Sequence, residues 1–76
     1  MKSFNDIRTE AFDYNVTVGW RGDKVEFRAN GKIVAWMYRI KGGWQGFTEK
    51  PESTSSFTGR KGTVANWCLD WAANGF

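Results

Sequence analysis

Two tight-turn signals, Gly22-Asp23 and Asn30-Gly31, separate runs of residues in which apolar and polar side chains alternate. A two-residue hairpin loop fixes the register of its flanking strands, and the register fixes which side chains share a face of the sheet. Pairing across both turns predicts three antiparallel strands over residues 14–20, 24–29 and 32–40. One face of this predicted sheet collects eight apolar side chains: Val16, Val18, Trp20, Val25, Phe27, Val34, Trp36 and Tyr38.

The residues on either side of these hairpins predict further short elements. Residues 3–12 favour a short helix, because Ser3 can act as its N-cap and Asp6 stands at the capping-box position. A fourth, shorter strand is expected near residues 44–48, after a pair of turn glycines. Residues 49–62 contain the single proline and a Ser/Thr cluster, which together predict a loop.

The C-terminal segment from Thr63 to Asn74 has the apolar spacing of a helix, with Thr63 as its N-cap. Two tryptophans on one stripe of this helix need a large apolar partner, which the sheet face supplies. We therefore predict one α+β domain over residues 1–76: an antiparallel sheet of three to four strands, with the C-terminal helix packed on one face and a short N-terminal helix. The predicted centre of the core is Trp20, Phe27, Val34, Trp36, Trp67 and Trp71.

Composition excludes several classes of protein. The chain has one cysteine and no histidine among 76 residues, so we expect no intramolecular disulfide, no metal site and no cofactor. The acidic residues are scattered singly, and Cys68 falls on the apolar stripe of the C-terminal helix, where a thiol behaves as a small hydrophobe. We therefore expect no catalytic residues, and a protein that is not an enzyme.

The third predicted strand departs from the pattern of a sheet with one solvated face, because it carries apolar residues on both sides. Its outward side, with its cross-strand neighbours, forms an apolar patch with a basic rim, and such patches often mark interaction sites. The residues assigned to this partner-binding surface are Ile33, Met37, Lys24, Arg28 and Arg39. Two alternative interpretations remain: the N-terminal segment folds over this face and the patch is structural, or the predicted register of the strand is wrong.

These features favour a small non-enzymatic binding protein that inhibits or modulates a larger host protein or protein complex. No apolar run approaches the roughly 20 residues that cross a bilayer, so no membrane association is expected. The start of the chain lacks a signal-peptide pattern, and a chain without a disulfide framework suits a reducing compartment. A cytoplasmic location is the expectation.

Nucleic-acid binding is the alternative function. The formal net charge is +3, a mild surplus that permits contact with phosphates. Arg60 and Lys61 precede the predicted start of the last helix, where free backbone N–H groups favour anions. Trp44 follows two glycines and is expected to be the least buried tryptophan, which makes it the candidate for stacking on a base.

The chain resembles two groups of known proteins, one in its predicted order of elements and the other in its size. Helix, three strands and helix resemble the double-stranded-RNA-binding domain, in which a basic cluster at the start of the last helix contacts RNA phosphates; Arg60 and Lys61 stand at a comparable place. In size and general architecture, the chain also resembles small accessory proteins of bacteriophages, including anti-CRISPR inhibitors of host defence. That second resemblance implies an inhibitor that occupies a surface of a larger machine in the host cytoplasm.

Overall fold

The computed structural model describes residues 3–48 and 56–74, which form a five-stranded antiparallel sheet and two helices. The strand order in the sheet is the order along the chain, so every connection joins neighbouring strands. The α+β prediction is confirmed. The elements are α1 (Phe4–Asp13), β1 (Val16–Arg21), β2 (Lys24–Ala29), β3 (Lys32–Ile40), β4 (Gly43–Thr48), β5 (Ser56–Gly59) and α2 (Lys61–Asn74).

Helix α1 begins at the predicted capping box. The Ser3 hydroxyl accepts a hydrogen bond from the backbone N–H of Asp6 at 3.2 Å, and the Asp6 carboxylate accepts one from the N–H of Ser3 at 3.1 Å. These reciprocal bonds satisfy two backbone donors that a helix start leaves without partners. Ile7 and Ala11 lie one turn apart on the buried side of α1, so they turn this helix toward the core.

The hairpin of β1 and β2 has the register that its turn predicts. Val18 pairs with Phe27 and Trp20 pairs with Val25 across the Gly22-Asp23 turn. Gly22 has a φ of 62°, a left-handed conformation that glycine adopts without the steric cost of a Cβ atom. The local turn chemistry therefore decides this pairing.

The predicted register between β2 and β3 is wrong, because β3 contains a β-bulge. Arg28 pairs with Ile33, as the Asn30-Gly31 turn predicts, but Phe27 pairs with Ala35 and leaves Val34 as an extra residue. A single extra residue moves every later side chain of the strand to the opposite face of the sheet.

The bulge exchanges the inner and outer residues of β3. Ala35 and Met37 are completely buried in the core, although Met37 was predicted to face outward. Trp36 and Tyr38 pair with Glu26 and with Lys24 of β2, and lie on the face away from α2. The predicted inward positions of Trp36 and Tyr38 are therefore wrong.

The C-terminal part of the chain differs from the prediction in two ways: it contains a fifth strand, and its helix begins two residues before Thr63. Residues 56–59 pair with β4, so part of the predicted loop is a fifth strand; residues 49–55 of that loop lie outside the described residues. Helix α2 begins at Lys61, and the carbonyl of Arg60 accepts a hydrogen bond from Val64 N–H at 2.9 Å. Thr63 therefore lies inside the first turn, and its predicted role as N-cap is wrong.

The core between the helices and the sheet is mainly aliphatic. Helix α2 approaches β4 so closely at Gly46 that a Cβ atom there would lie 2.9 Å from Val64 Cγ1 and 3.0 Å from Cys68 Sγ. Such an approach requires a residue without a side chain at position 46. The buried core residues are Ile7, Ala11, Val16, Val25, Phe27, Ala35, Met37, Val64, Ala65, Cys68, Leu69 and Ala72.

The predicted tryptophan-centred core is therefore confirmed only for part of its members. Phe27 is fully buried, and Val34 and Trp67 are half-buried against the core. Trp20 is 52% exposed, and Trp36 lies on the opposite face. Trp71 is half-buried outside the core cluster. Helix α1 packs beside α2 and against β1, so the alternative in which the N-terminal segment covers the outward face of β3 is wrong as well.

Candidate functional site

Three aromatic rings stack on the face of the sheet opposite α2, which we call the outer face. Trp36 and Phe47 have ring centroids 4.8 Å apart, with an angle of 26° between their planes. Tyr38 lies 5.6 Å from Trp36 and 5.8 Å from Phe47, again with nearly parallel planes. We call Trp36, Tyr38 and Phe47 the ring cluster. Offset stacking of this kind is favourable beyond the area that the rings bury.

The sheet register holds the ring cluster in place. Trp36 is directly opposite Phe47 in the β3–β4 pair, and Tyr38 is opposite Gln45, whose side-chain oxygen accepts a hydrogen bond from the Tyr38 hydroxyl at 3.2 Å. All three rings are half-buried. Among the described residues no helix packs over them, because both helices lie on the other face. The ring cluster is therefore a half-buried aromatic surface held by the pairing of β3 with β4.

Basic side chains of β1 and β2 border the ring cluster. The Lys24 ammonium lies 4.6 Å from the Trp36 ring centroid, within cation–π range. Arg21 and Arg28 approach the Glu26 carboxylate at 3.5 Å and 3.3 Å. The Glu26 side chain is only 12% exposed, so the arginines flank a largely covered negative charge. The border of the outer face thus presents three cations against one anion.

The five residues of the partner-binding surface predicted from the sequence do not lie together on one face of the sheet. Met37 is 0% exposed, so its predicted place on the outer face is wrong; the bulge turns it under α2. Arg39 is exposed but pairs with Trp44, on the helix side of the sheet. Ile33, Lys24 and Arg28 do lie on the outer face. Their role in binding a partner stays a prediction.

The nucleic-acid residues predicted from the sequence lie mostly in a second cluster, at the helix side of the sheet. The Lys61 ammonium lies 4.5 Å from the ring centroid of Phe4, 5.2 Å from that of Trp44 and 5.6 Å from that of Trp20. Arg60, immediately before α2, is exposed. Three rings thus hold Lys61 within the molecule, and Trp20 rather than Trp44 is the tryptophan exposed above half.

The aromatic members of the outer face were missed by the sequence analysis. Trp36 and Tyr38 were assigned to the core, and Phe47 was assigned no role. One signal pointed to the error: β3 is apolar on both alternating sets, so its pattern is compatible with either register. That ambiguity leaves the register of β3 undetermined by the sequence pattern.

The single thiol is buried and serves no reactive role that the geometry supports. Desolvation raises the pKa of Cys68 from an ordinary value of 9.0 to about 12, and its S–H points to the carbonyl of Trp36 at 3.8 Å. A raised pKa disfavours the nucleophilic thiolate. In the described residues, no group of three or more metal-ligating side chains comes together.

The Cys68 pKa predicts a loss of stability in alkali. A group whose folded pKa exceeds its unfolded pKa stabilises the fold below the unfolded value, and this contribution is lost as pH rises toward the folded value. We expect stability to fall between about pH 9 and pH 12 more steeply in the wild type than in Cys68→Ala. Urea unfolding across this range measures the difference, and equal slopes for the two proteins would contradict it.

Comparison with protein-family models, curated proteins and solved structures finds no match to this chain. None of the described helices has the length and apolar character that a membrane crossing requires.

Proposed function

We propose that the outer face binds single-stranded nucleic acid by stacking bases on the ring cluster. The observation that supports this proposal is the set of three stacked rings, on a sheet face without a described helix, beside Lys24, Arg21 and Arg28. Sequence-tolerant binding of single strands combines aromatic platforms with a basic groove, because every base has a π-face and every nucleotide a phosphate.

The two parts of the surface have different roles in this proposal. A base stacks on the Trp36 ring by taking the place of the Lys24 ammonium, which lies 4.6 Å from the centroid of that ring. The displaced ammonium then neutralises the adjacent phosphate. Stacking contributes about 1–3 kcal/mol per base, whereas the cations contribute the part of the affinity that depends on salt.

A single strand suits this surface better than a duplex. In a duplex, the base faces are stacked on one another and a ring can reach them only by unstacking, which costs a few kcal/mol per step. A flexible single strand can offer its bases one at a time. The rings carry only two hydrogen-bonding groups, the Trp36 indole N–H and the Tyr38 hydroxyl, and the hydroxyl is already bonded to Gln45, so little base preference is expected.

The experiment is a titration of dye-labelled mixed-sequence oligonucleotides, followed by fluorescence anisotropy at several salt concentrations. Single-stranded RNA and single-stranded DNA are compared with the corresponding duplex. We expect saturable binding of a single strand, tighter than binding of the duplex, and weaker as salt increases. Absence of single-strand binding at low salt would refute the proposal, and preference for RNA or DNA would identify the natural ligand.

Lys24→Gln tests the electrostatic part of the site. Each phosphate contact on a single strand contributes about 0.7 to the steepness of log K against log salt, because it releases counterions. A variant that loses one such contact is therefore expected to show a slope shallower by about that amount. Lys41→Gln is the matched control, because Lys41 is also exposed but lies in the β3–β4 turn. Equal slopes for the wild type and Lys24→Gln would exclude Lys24 as a phosphate contact.

A second candidate function is the inhibition or modulation of a larger protein, as in small bacteriophage accessory proteins. It is favoured by the composition of the outer face, because Trp, Tyr and Arg are the residue types that dominate binding hot spots. Pull-down from nuclease-treated lysate distinguishes the two functions. A protein retained by the wild type and lost with Trp36→Ala supports this candidate when the oligonucleotide titration is negative.

A further inference from the structure

Strand β1 forms one edge of the sheet and lacks the usual protection of an edge strand. It pairs only with β2 and has six residues, with neither a proline nor a register shift. Arg21 at its end is its only charged residue. Natural sheets protect exposed edges with charges, prolines, bulges or short strands, because unpaired backbone groups recruit further strands. The opposite edge, β5, has only four residues.

A groove of about 670 Å³ lies between α1 and this edge. One side of the groove is the face of α1 opposite the buried Ile7 and Ala11, and the other is the first half of β1. Phe12 lines the groove and is 83% exposed, the most exposed large apolar side chain among the described residues. An apolar side chain left in water beside an open edge indicates a surface that another chain covers.

We propose that a second copy of this chain occupies the groove, with β1 paired antiparallel to β1 and the two α1 helices side by side about a two-fold axis. Such an interface is isologous, so each residue type must find its complement on the same surface. Charge is the feature that identifies the occupant as a second copy.

Arg8 and Asp13 supply this self-complementarity. Both line the groove, both are exposed, and neither forms an ion pair within the described part of the chain. Two antiparallel α1 helices related by an axis between residues 10 and 11 place Arg8 of each copy opposite Asp13 of the other. The same axis therefore forms two ion pairs from one helix sequence.

The strand pairing covers apolar surface on the same side. A two-fold axis through Val18 puts Val16 of one copy opposite Trp20 of the other, and cross-strand partners share a face of the sheet. Trp20, which is 52% exposed in the single chain, is thereby covered. The groove, the open edge and the half-exposed tryptophan are accounted for by one interface.

The test measures self-association of the full chain by sedimentation across a wide concentration range. We expect a concentration-dependent species with the mass of two 8.7 kDa chains. Arg8→Asp places like charges opposite each other twice, as does Asp13→Arg, so each variant is expected to associate at least tenfold more weakly. Lys41→Asp makes the same change in charge as Arg8→Asp at an exposed turn outside the groove, and is expected to associate like the wild type.

Mixing the two weakened variants provides the decisive measurement. In a mixed dimer, Asp at position 8 faces Arg at position 13 in one pair, and Arg8 faces Asp13 in the other, so the equimolar mixture is expected to recover wild-type association. Circular dichroism checks that each variant is folded. A wild type that stays monomeric at millimolar concentration, single variants that associate normally, or a mixture without recovery would each overturn the dimer. None of these residues belongs to the ring cluster. A failure of the dimer and a failure of oligonucleotide binding can therefore be told apart.

Discussion

Met37→Asp is expected to unfold the protein. Met37 lies in the core with no exposed surface, beside Ala35 on the side of the sheet that α2 covers. An isolated carboxylate in such a place loses its hydration without gaining a partner, which costs several kcal/mol. Native domains are stable by only about 5–15 kcal/mol, and small ones lie toward the lower end. The substitution therefore consumes most or all of the stability.

Thermal unfolding followed by far-ultraviolet circular dichroism measures this effect. Arg39→Asp is the matched control, because it introduces the same carboxylate two residues along β3 at an exposed position, and we expect it to melt cooperatively near the wild-type temperature. A Met37→Asp variant that also melts near that temperature would mean that β3 has the register predicted from the turn alone. The comparison therefore tests the bulge at Val34 directly.

Trp36→Ala is expected to weaken single-strand binding by about 5- to 150-fold, which corresponds to the 1–3 kcal/mol of one base–aromatic stack. The variant removes both one ring of the cluster and the platform that holds the Lys24 ammonium. Phe47→Ala is expected to act in the same direction, because Phe47 stacks on Trp36 at 4.8 Å and fixes its orientation. Both rings are half-buried and lie away from the core, so the fold should persist.

Anisotropy of a labelled oligonucleotide measures the affinity without relying on the tryptophan that is removed. Tyr14→Ala is the control, since Tyr14 is an exposed aromatic residue at the end of α1, outside the ring cluster. We expect it to bind like the wild type. Unchanged affinity in a folded Trp36→Ala variant would show that any nucleic-acid binding uses another surface, with the cluster around Lys61 as the next to examine.

The aromatic cluster around Lys61 connects several elements of the fold. Its cation comes from α2, and its rings come from α1, β1 and β4, so it joins the two helices to the end of the sheet. Trp20 contacts Phe4 and Trp44 edge to face, at 6.3 Å and 6.4 Å. The residues that the sequence suggested for phosphate binding are thus partly committed to holding the fold together.

The local features of the fold could be predicted from the sequence because short-range chemistry decides them. The capping box at Ser3 and Asp6 starts α1, and the Gly22-Asp23 turn sets the pairing of β1 with β2. The apolar spacing after residue 63 predicted the body of α2, which begins two residues earlier. In each case the residues that determine the structure are neighbours along the chain.

The register of β3, and with it the candidate site, depends on tertiary packing. Both alternating sets of β3 are apolar, so hydrophobic burial alone does not choose between them. Helix α2 packs closely on this face at Gly46, which is directly opposite Met37, and both Ala35 and Met37 are buried in the core beneath the helix. The bulge at Val34 satisfies this packing and turns Trp36 and Tyr38 outward. The sequence alone determined the two helices, the first four strands and the first hairpin; the tertiary packing of β3 decided which aromatic rings the molecule presents.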